Sequence, residues 1–249
     1  KYRYFSNPYV AHSIDNVFIS FSHAIVLRPG GVAIFSGMAY TGVTKETADW
    51  TQKGEFSMEK PYKMLVINPG STSTKVSYFE NEKNIYTESI FHDAPELLRY
   101  PTVNDQIPLR RAVIEDFVKK NGLAMEDMDA FVGRGGSAYP QKAGVMEIDE
   151  ALVADTAAGV GGSDHPAKLG VMLAYALCRE YGGKMYTVNP TNVDELCDYA
   201  RPTGIAGLYR RAQTHVLNQK GIGAIHARAM GKRYEDCNFI ICHIDGGIT

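Results

Sequence analysis

Between Met64 and Phe79 the chain reads Met-Leu-Val-Ile-Asn-Pro-Gly-Ser-Thr-Ser-Thr-Lys-Val-Ser-Tyr-Phe, and this stretch limits the possible folds more than any other. A short apolar strand enters a turn at Asn68-Pro69-Gly70, three hydroxyl residues follow, and a second strand leaves over 74–80 with Lys75 near its start. Glycine lets an anion approach the backbone because no Cβ stands in the way, while hydroxyls and exposed amides offer neutral donors to phosphate oxygens. Strand, Gly/Ser/Thr turn and returning strand therefore make a hairpin able to hold phosphate. It differs from the strand-to-helix P-loop, whose GxxxxGK[ST] pattern is absent. From these residues alone an ordinary tight hairpin fits equally well, since Gly, Ser and Thr are common in turns.

The chain around the hairpin has 249 residues, 45% of them hydrophobic and 22% charged, which suits a globular protein with a sizeable core. A net charge of −2, with basic residues interspersed among acids, argues against a broad nucleic-acid or membrane footprint and leaves small molecules or proteins as partners. Four cysteines, at 178, 197, 237 and 242, form no CxxC and no paired framework, so reduced thiols in a cytoplasmic protein are expected. The apolar run from Val17 to Tyr40 is broken by Ser20, Ser22, His23, Arg28, Pro29 and two adjacent glycines. It falls short of the roughly 20 apolar residues that a membrane span needs. No signal-peptide pattern stands at the start.

Residues 1 to 63 contain possible strands at 17–21 and 32–35 around Arg28-Pro-Gly-Gly31, then a polar stretch from Thr41 to Lys63. They fit an added module, a fusion linker, or upstream sequence ahead of a start at Met58 or Met64, the last two being favoured. From Met64 the alternation predicts strands over 64–68, 74–80 and 85–91, a meander turned at Asn81-Glu-Lys-Asn84. A loop over 92–105 precedes a helix over 108–120, in which Leu109, Val113, Ile114, Phe117 and Val118 keep helical spacing and Asn121-Gly122 ends the run. A buried strand at 129–133 delivers Arg134. Helices are expected over 148–156 and 167–181, separated by the glycine-rich loop 159–166 with His165 in a loop or capping position, and a strand over 184–189 follows. A long helix over 208–234, a strand over 238–243 and a glycine turn at Asp245-Gly246-Gly247 complete an α/β pattern.

The hairpin motif Asn68-Pro-Gly-Ser-Thr-Ser-Thr-Lys75 closely resembles the first phosphate motif of the butyrate kinases, within the acetate and sugar kinase/actin superfamily. Four further stretches resemble that family in the right order: Val132-Gly-Arg-Gly-Gly136, Val188-Asn-Pro-Thr-Asn-Val-Asp-Glu195, Arg211-Ala-Gln-Thr-His-Val-Leu-Asn-Gln-Lys220 and Cys242-His-Ile-Asp-Gly-Gly-Ile-Thr249. The resemblance covers about 64–249 and implies the ribonuclease H-like fold, with two such domains and a cleft for ATP and substrate. It implies domain bounds of 64–207 for a complete first domain and 208–249 for the opening of a second, after the 1–63 leader or linker. The chain starts at Lys1 and stops beyond a glycine turn, and it is expected to be a piece of a longer protein.

What the resemblance implies for chemistry is transfer of the γ-phosphoryl of ATP, with Mg²⁺, to a short or branched fatty acid, giving an acyl phosphate reversibly. Phosphoryl transfer asks a protein for alignment and charge stabilisation rather than covalent work. By resemblance Arg134 clamps the acyl carboxylate and the transferring phosphate, a task suited to a bidentate guanidinium. His215, read as lying within a helix, donates to an equatorial phosphoryl oxygen, and His165 lies on the acyl side. Asn68 and Ser71 contact the active site with Ser73 and Lys75 nearby, while Thr72 and Thr74 alternate toward the sheet. His243, Asp245, Gly246 and Gly247 form the second phosphate motif. The resemblance also implies a homo-oligomer for the full-length protein.

Two positions depart from the family pattern. Asp245 stands where the first of three glycines is usual, and an acid beside polyphosphate repels it unless a cation intervenes. Either it helps to hold Mg²⁺ through water, or nucleotide affinity is reduced. Asn189 stands where aspartate is usual and lacks the charge to attract a divalent ion. Asn68, Asn189 and Asp245 are the candidate metal contacts, while Asp194 and Glu195 read as helix-start acids. A carboxylate kinase is thus the leading reading. The alternative is a catalytically weak or inactive truncated relative that binds nucleotide or acyl ligand.

Overall fold

The computed structural model describes residues 60–136, 138–162 and 164–243, together with the backbone of strands β1 (Ala24–Arg28) and β2 (Gly31–Phe35). The expected strand over 17–21, most of the polar stretch from Thr41, and Asp245, Gly246 and Gly247 lie outside the described residues. The chain divides into two compact units: 62–216 belongs to one, and β1, β2 and 217–243 to the other.

In the first unit the meander runs through β3 (Lys63–Pro69), β4 (Ser73–Glu80) and β5 (Lys83–Phe91). Asn81 turns β4 into β5 at φ 53°, a left-handed conformation that asparagine tolerates better than most residues. The stretch after β5, expected to be a loop, contains a one-turn helix α1 (Ala94–Leu97) and a 3₁₀ turn over Val103–Gln106. Pro95 sits in the first turn of α1, where its missing N–H costs nothing, and Thr102 and Asp105 cap the second piece reciprocally.

Helix α2 (Ile107–Lys120) ends at Asn121-Gly122, and β6 (Ala130–Gly133) follows. Next come β7 (Val145–Glu147), which the sequence reading lacked, and α3 (Glu150–Ala158). Asp149 caps α3 through the Leu152 N–H, and Gly159 closes it at φ 66°, so this helix begins two residues later than its apolar pattern suggested. Helix α4 (Leu169–Tyr181) and β8 (Lys184–Val188) complete the unit.

The sheet order is β5-β4-β3-β6-β8-β7. β3, β6 and β8 run parallel, while β4, β5 and the edge strand β7 are antiparallel to their neighbours. A three-stranded meander continued by parallel strands on the far side of β3 is the ribonuclease H-like arrangement. β3 lies in the middle and is buried along nearly its whole length, as expected for a strand covered on both faces. Helices α2 and α4 pack on the sheet, with Ile114 and Phe117 of α2 and Leu173 and Leu177 of α4 meeting Leu65, Ile67 and Phe131. Each such side chain contributes about 1.5–3 kcal/mol by leaving water.

In the second unit β1 lies between β2 and β9 (Ile240–His243), antiparallel to both. The helix expected over 208–234 is shorter, α5 spanning Val216–Ala229. Upstream the backbone is drawn into other bonds: the Thr203 hydroxyl donates to the Leu208 carbonyl, the Arg210 N–H to Arg201 and the Thr214 N–H to Thr191. Such local side-chain bonds offer the backbone an alternative to the helical ladder. Gly231, at φ 68°, prevents extension at the other end. Among the described residues no helix is long and apolar enough to cross a membrane. Cys197 is exposed, and Cys178, Cys237 and Cys242 are partly buried free thiols.

Candidate active site

The three parallel strands deliver their carboxyl ends side by side, where open α/β sheets characteristically bind ligands. Asn68 is the penultimate residue of β3, Arg134 follows β6, and Asn189 follows β8. The Arg134 N–H donates to the Ile67 carbonyl at 2.9 Å, extending the β3–β6 pairing by one residue, and its Nη1 donates to Asn68 Oδ1 at 3.3 Å. The flanking glycines are needed for closeness. A Cβ on Gly133 would strike the Gly170 backbone, and one on Gly136 would lie 2.7 Å from the Thr191 hydroxyl. The start of α4 and the loop after β8 therefore hold the Arg134 backbone in a tight slot.

The hairpin turn closes through a Gly70 N–H to Ser73 carbonyl bond of 2.7 Å. Behind it stands Arg110, a residue that the sequence reading passed over. Its side chain is fully buried on the α2 face that carries Ile114 and Phe117. Nη1 donates to the Ser73 carbonyl at 2.9 Å and the Thr74 hydroxyl at 3.1 Å, Nη2 to the Gly70 carbonyl at 2.9 Å, and Nε and Nη2 to Gln106 Oε1. Burial pulls its pKa down to about 10. Thr74 also bonds His92 Nε2 at 2.8 Å, and the His92 N–H donates to the Thr72 carbonyl at 2.8 Å. Thr74 thus belongs to a buried polar network rather than simply alternating into the sheet. Lys75, opposite Asn68 in the hairpin register, is half-buried, and burial lowers its pKa.

His165 opens a 3₁₀ turn, where its Nδ1 accepts from the Ala167 N–H at 3.1 Å. In the neutral ring Nε2 then carries the proton and faces the Ser71 hydroxyl at 3.4 Å. Burial first, then the Arg134 and Arg110 guanidinium groups, hold its pKa below the ordinary value. His165 is therefore a capping residue that also reaches the turn between β3 and β4.

Asn189 takes a left-handed backbone at φ 40°, and its Oδ1 accepts from the Gly144 N–H at 2.8 Å. Its carbonyl joins the loop before β7 to the end of β8. Asp194 and Glu195 do not start a helix: Asp194 pairs with Arg201 at 3.0 Å, and Glu195 accepts from the Ala143 N–H at 3.0 Å. His215 lies one residue ahead of α5 rather than inside a helix, next to Thr214, whose N–H is tied to the Thr191 carbonyl. In the second unit His243 is buried at the end of β9, with Nδ1 3.0 Å from Asn218 Oδ1.

The pairs brought together are thus Asn68 with Arg134 and Ser71 with His165. For a divalent cation the strand ends offer the amide oxygens of Asn68, which accepts from the Arg134 guanidinium, and Asn189, which accepts from the Gly144 N–H. Among the described residues no group of three His, Cys, Asp or Glu side chains could hold a metal ion. These two donors are neutral amides, whereas Mg²⁺ favours carboxylates, phosphates and water around it, and the acidic candidate, Asp245, lies outside the described residues. The missed residues, Arg110, Gln106 and His92, left one signal: Arg110 occupies an otherwise apolar helix face at helical spacing from Ile114 and Phe117.

Strand order and hairpin together define a ribonuclease H-like domain. Comparison of sequences makes this more particular. The chain is 39% identical over 188 residues to a probable butyrate kinase of Thermotoga petrophila, covering 76% of this chain and 52% of that protein. It is 38% identical over 188 residues to butyrate kinase 1 of Clostridium acetobutylicum, covering 76% and 53%. Over these residues the chain is a homologue of the butyrate kinases, and it spans about half the length of the curated relatives it matches. No family model matches. Among solved structures, an acetate kinase of Porphyromonas gingivalis superposes with a TM-score of 0.46 at 16% identity, covering 74% of this chain and 55% of that one. A propionate kinase of Francisella tularensis gives 0.41 at 13%, covering 68% and 49%.

Proposed function

We propose that this chain forms part of a carboxylate kinase that transfers the γ-phosphoryl of ATP reversibly to butyrate or a related short or branched fatty acid. The observation that carries the reading is the Arg134 to Asn68 bond between adjacent strand ends beside the phosphate hairpin, in a homologue of the butyrate kinases. A substrate carboxylate oxygen attacks the γ-phosphorus, the new P–O bond forms, and the bond to the β,γ-bridging oxygen breaks with its electron pair leaving on ADP. The acid reacts ionised, so no proton must be removed.

The demands on the protein are alignment and neutralisation. Arg134 clamps the carboxylate and the moving phosphoryl group. Ser71, Ser73 and the turn amides hold phosphate oxygens, with Lys75 and Asn68 at their side. His215 donates to an equatorial oxygen, and His165 orients Ser71 toward the acyl side. His243, Asp245, Gly246 and Gly247 receive the nucleotide phosphates. Asn189 acts in this reading by holding the β8 end in shape.

A second reading, binding with weak or no turnover, is favoured by Asn189: its carbonyl is engaged by Gly144, and its amide carries no charge for a metal. Hydroxamate trapping on the full-length protein, with ATP, Mg²⁺ and a panel of short acids, tests both. Acyl phosphate should form and fall by roughly 10²–10³ in His215→Ala, the loss typical of a transition-state donor. ATP binding without product from any acid would establish the second reading, and recovery in Asn189→Asp would identify the cause.

A further inference from the structure

Arg110 is buried and charged, and among the described residues its hydrogen bonds all end on uncharged oxygens. Burying a guanidinium is costly, and neutral donors could satisfy carbonyls at smaller desolvation cost. Hydrogen bonding alone therefore does not explain the choice. The direction of the bonds does. In a trans peptide the carbonyl of one residue and the N–H of the next point opposite ways. Arg110 draws the Gly70 carbonyl inward at 2.9 Å and the Ser71 carbonyl at 3.5 Å, which turns the Ser71 and Thr72 N–H groups away from it. Both residues are exposed, and the carbonyl bonds put their amides on the side of the turn away from Arg110. The Thr72 and Ser73 carbonyls are likewise held, by the His92 N–H and by Arg110.

We propose that Arg110 is a positioning residue of the hairpin, which fixes the Ser71 and Thr72 amides outward as phosphate donors and sets an unneutralised positive charge behind them. This rests on the reading of the hairpin as the seat of the ATP phosphates. The arrangement resembles a nest: amides converge on one side and a cation supports them from the other, so an anion meets donors that need no reorganisation. Lysine could keep the charge but not the fork, because three donors on one nitrogen cannot span Gly70, Ser73, Thr74 and Gln106 together.

The test uses the full-length protein. Arg110→Lys should raise KM for ATP by roughly tenfold to a hundredfold while KM for the acid changes by less than about twofold, a split that general loosening of the fold would not give. Arg110→Met should raise KM for ATP further. Folded Arg110→Lys protein with native KM for ATP would overturn the proposal while leaving the kinase reading intact. If either variant fails to fold, amide resonances of the native protein decide. On titration with inorganic tripolyphosphate, the Ser71 and Thr72 amide signals should move, and the inward-turned Gly70 amide should not. Movement of Gly70 without Ser71 and Thr72 would overturn the proposal. Native protein that binds neither ATP nor tripolyphosphate would remove the hairpin reading itself, and the role of Arg110 with it.

Discussion

At the scale of single residues, Asn189 separates what the sequence said from what it concealed. Its place at a strand end was legible from the apolar run before it and the proline after it. Its left-handed backbone and its bond to Gly144 were not, because both depend on a loop distant in sequence. Asn189→Ala should lose the acceptor and incur the left-handed penalty, costing about 2 kcal/mol, while Asn189→Gly should recover the backbone part. Urea unfolding of the two variants measures the difference, and equal loss in both would show that φ is not the issue. Arg110 escaped for a different physical reason. An arginine in an amphipathic helix normally reaches water, and only the docking of α2 against the hairpin turn forces this one inward.

At the scale of elements, the meander and α4 were legible because a period of two or of 3.6 residues marks a face that must be buried. β7 was not, since three residues carry too little pattern to register. The expectation of a long helix over 208–234 went astray because its helix-forming composition holds over 208–215 as well, where bonds to Thr191 and Arg201 capture the backbone. The contact between Gly133 and Gly170 makes a demand that propensity does not express: α4 must start against the bare backbone of β6. Gly170→Ala places its methyl on the Arg134 backbone, where no flexible side chain can yield. It should cost about 3 kcal/mol or more and shift the Arg134 loop, visible as a lowered urea midpoint together with loss of acyl phosphate formation. Gly204→Ala, where a Cβ meets nothing within 4 Å, is the control expected to leave both unchanged.

At the scale of the whole molecule, two imidazoles link stability to pH. His92 is held below its ordinary pKa by burial and by Arg110, and His165 by burial, Arg134 and Arg110. A depressed histidine pKa means that the unfolded chain takes up the proton first as pH falls. Stability should therefore be level above about pH 7 and decline as pH drops below the ordinary imidazole value, near 6.5, until the folded-state pKa values are reached. Urea midpoints between about pH 7.5 and 5.5 measure the slope, and His92→Gln should flatten part of it. A slope unchanged in that variant would assign the effect elsewhere. The strand order has a consequence in time as well. β3, β4 and β5 are joined by tight turns and can zip together locally, whereas β3 meets β6 only after the intervening chain has closed between Met64 and Ala130. Long closures are slow, so pulse-labelled amides should be protected in the meander before they are protected in β6 and β8. Arg134 and Asn189 then come to rest late, after the hairpin is already standing.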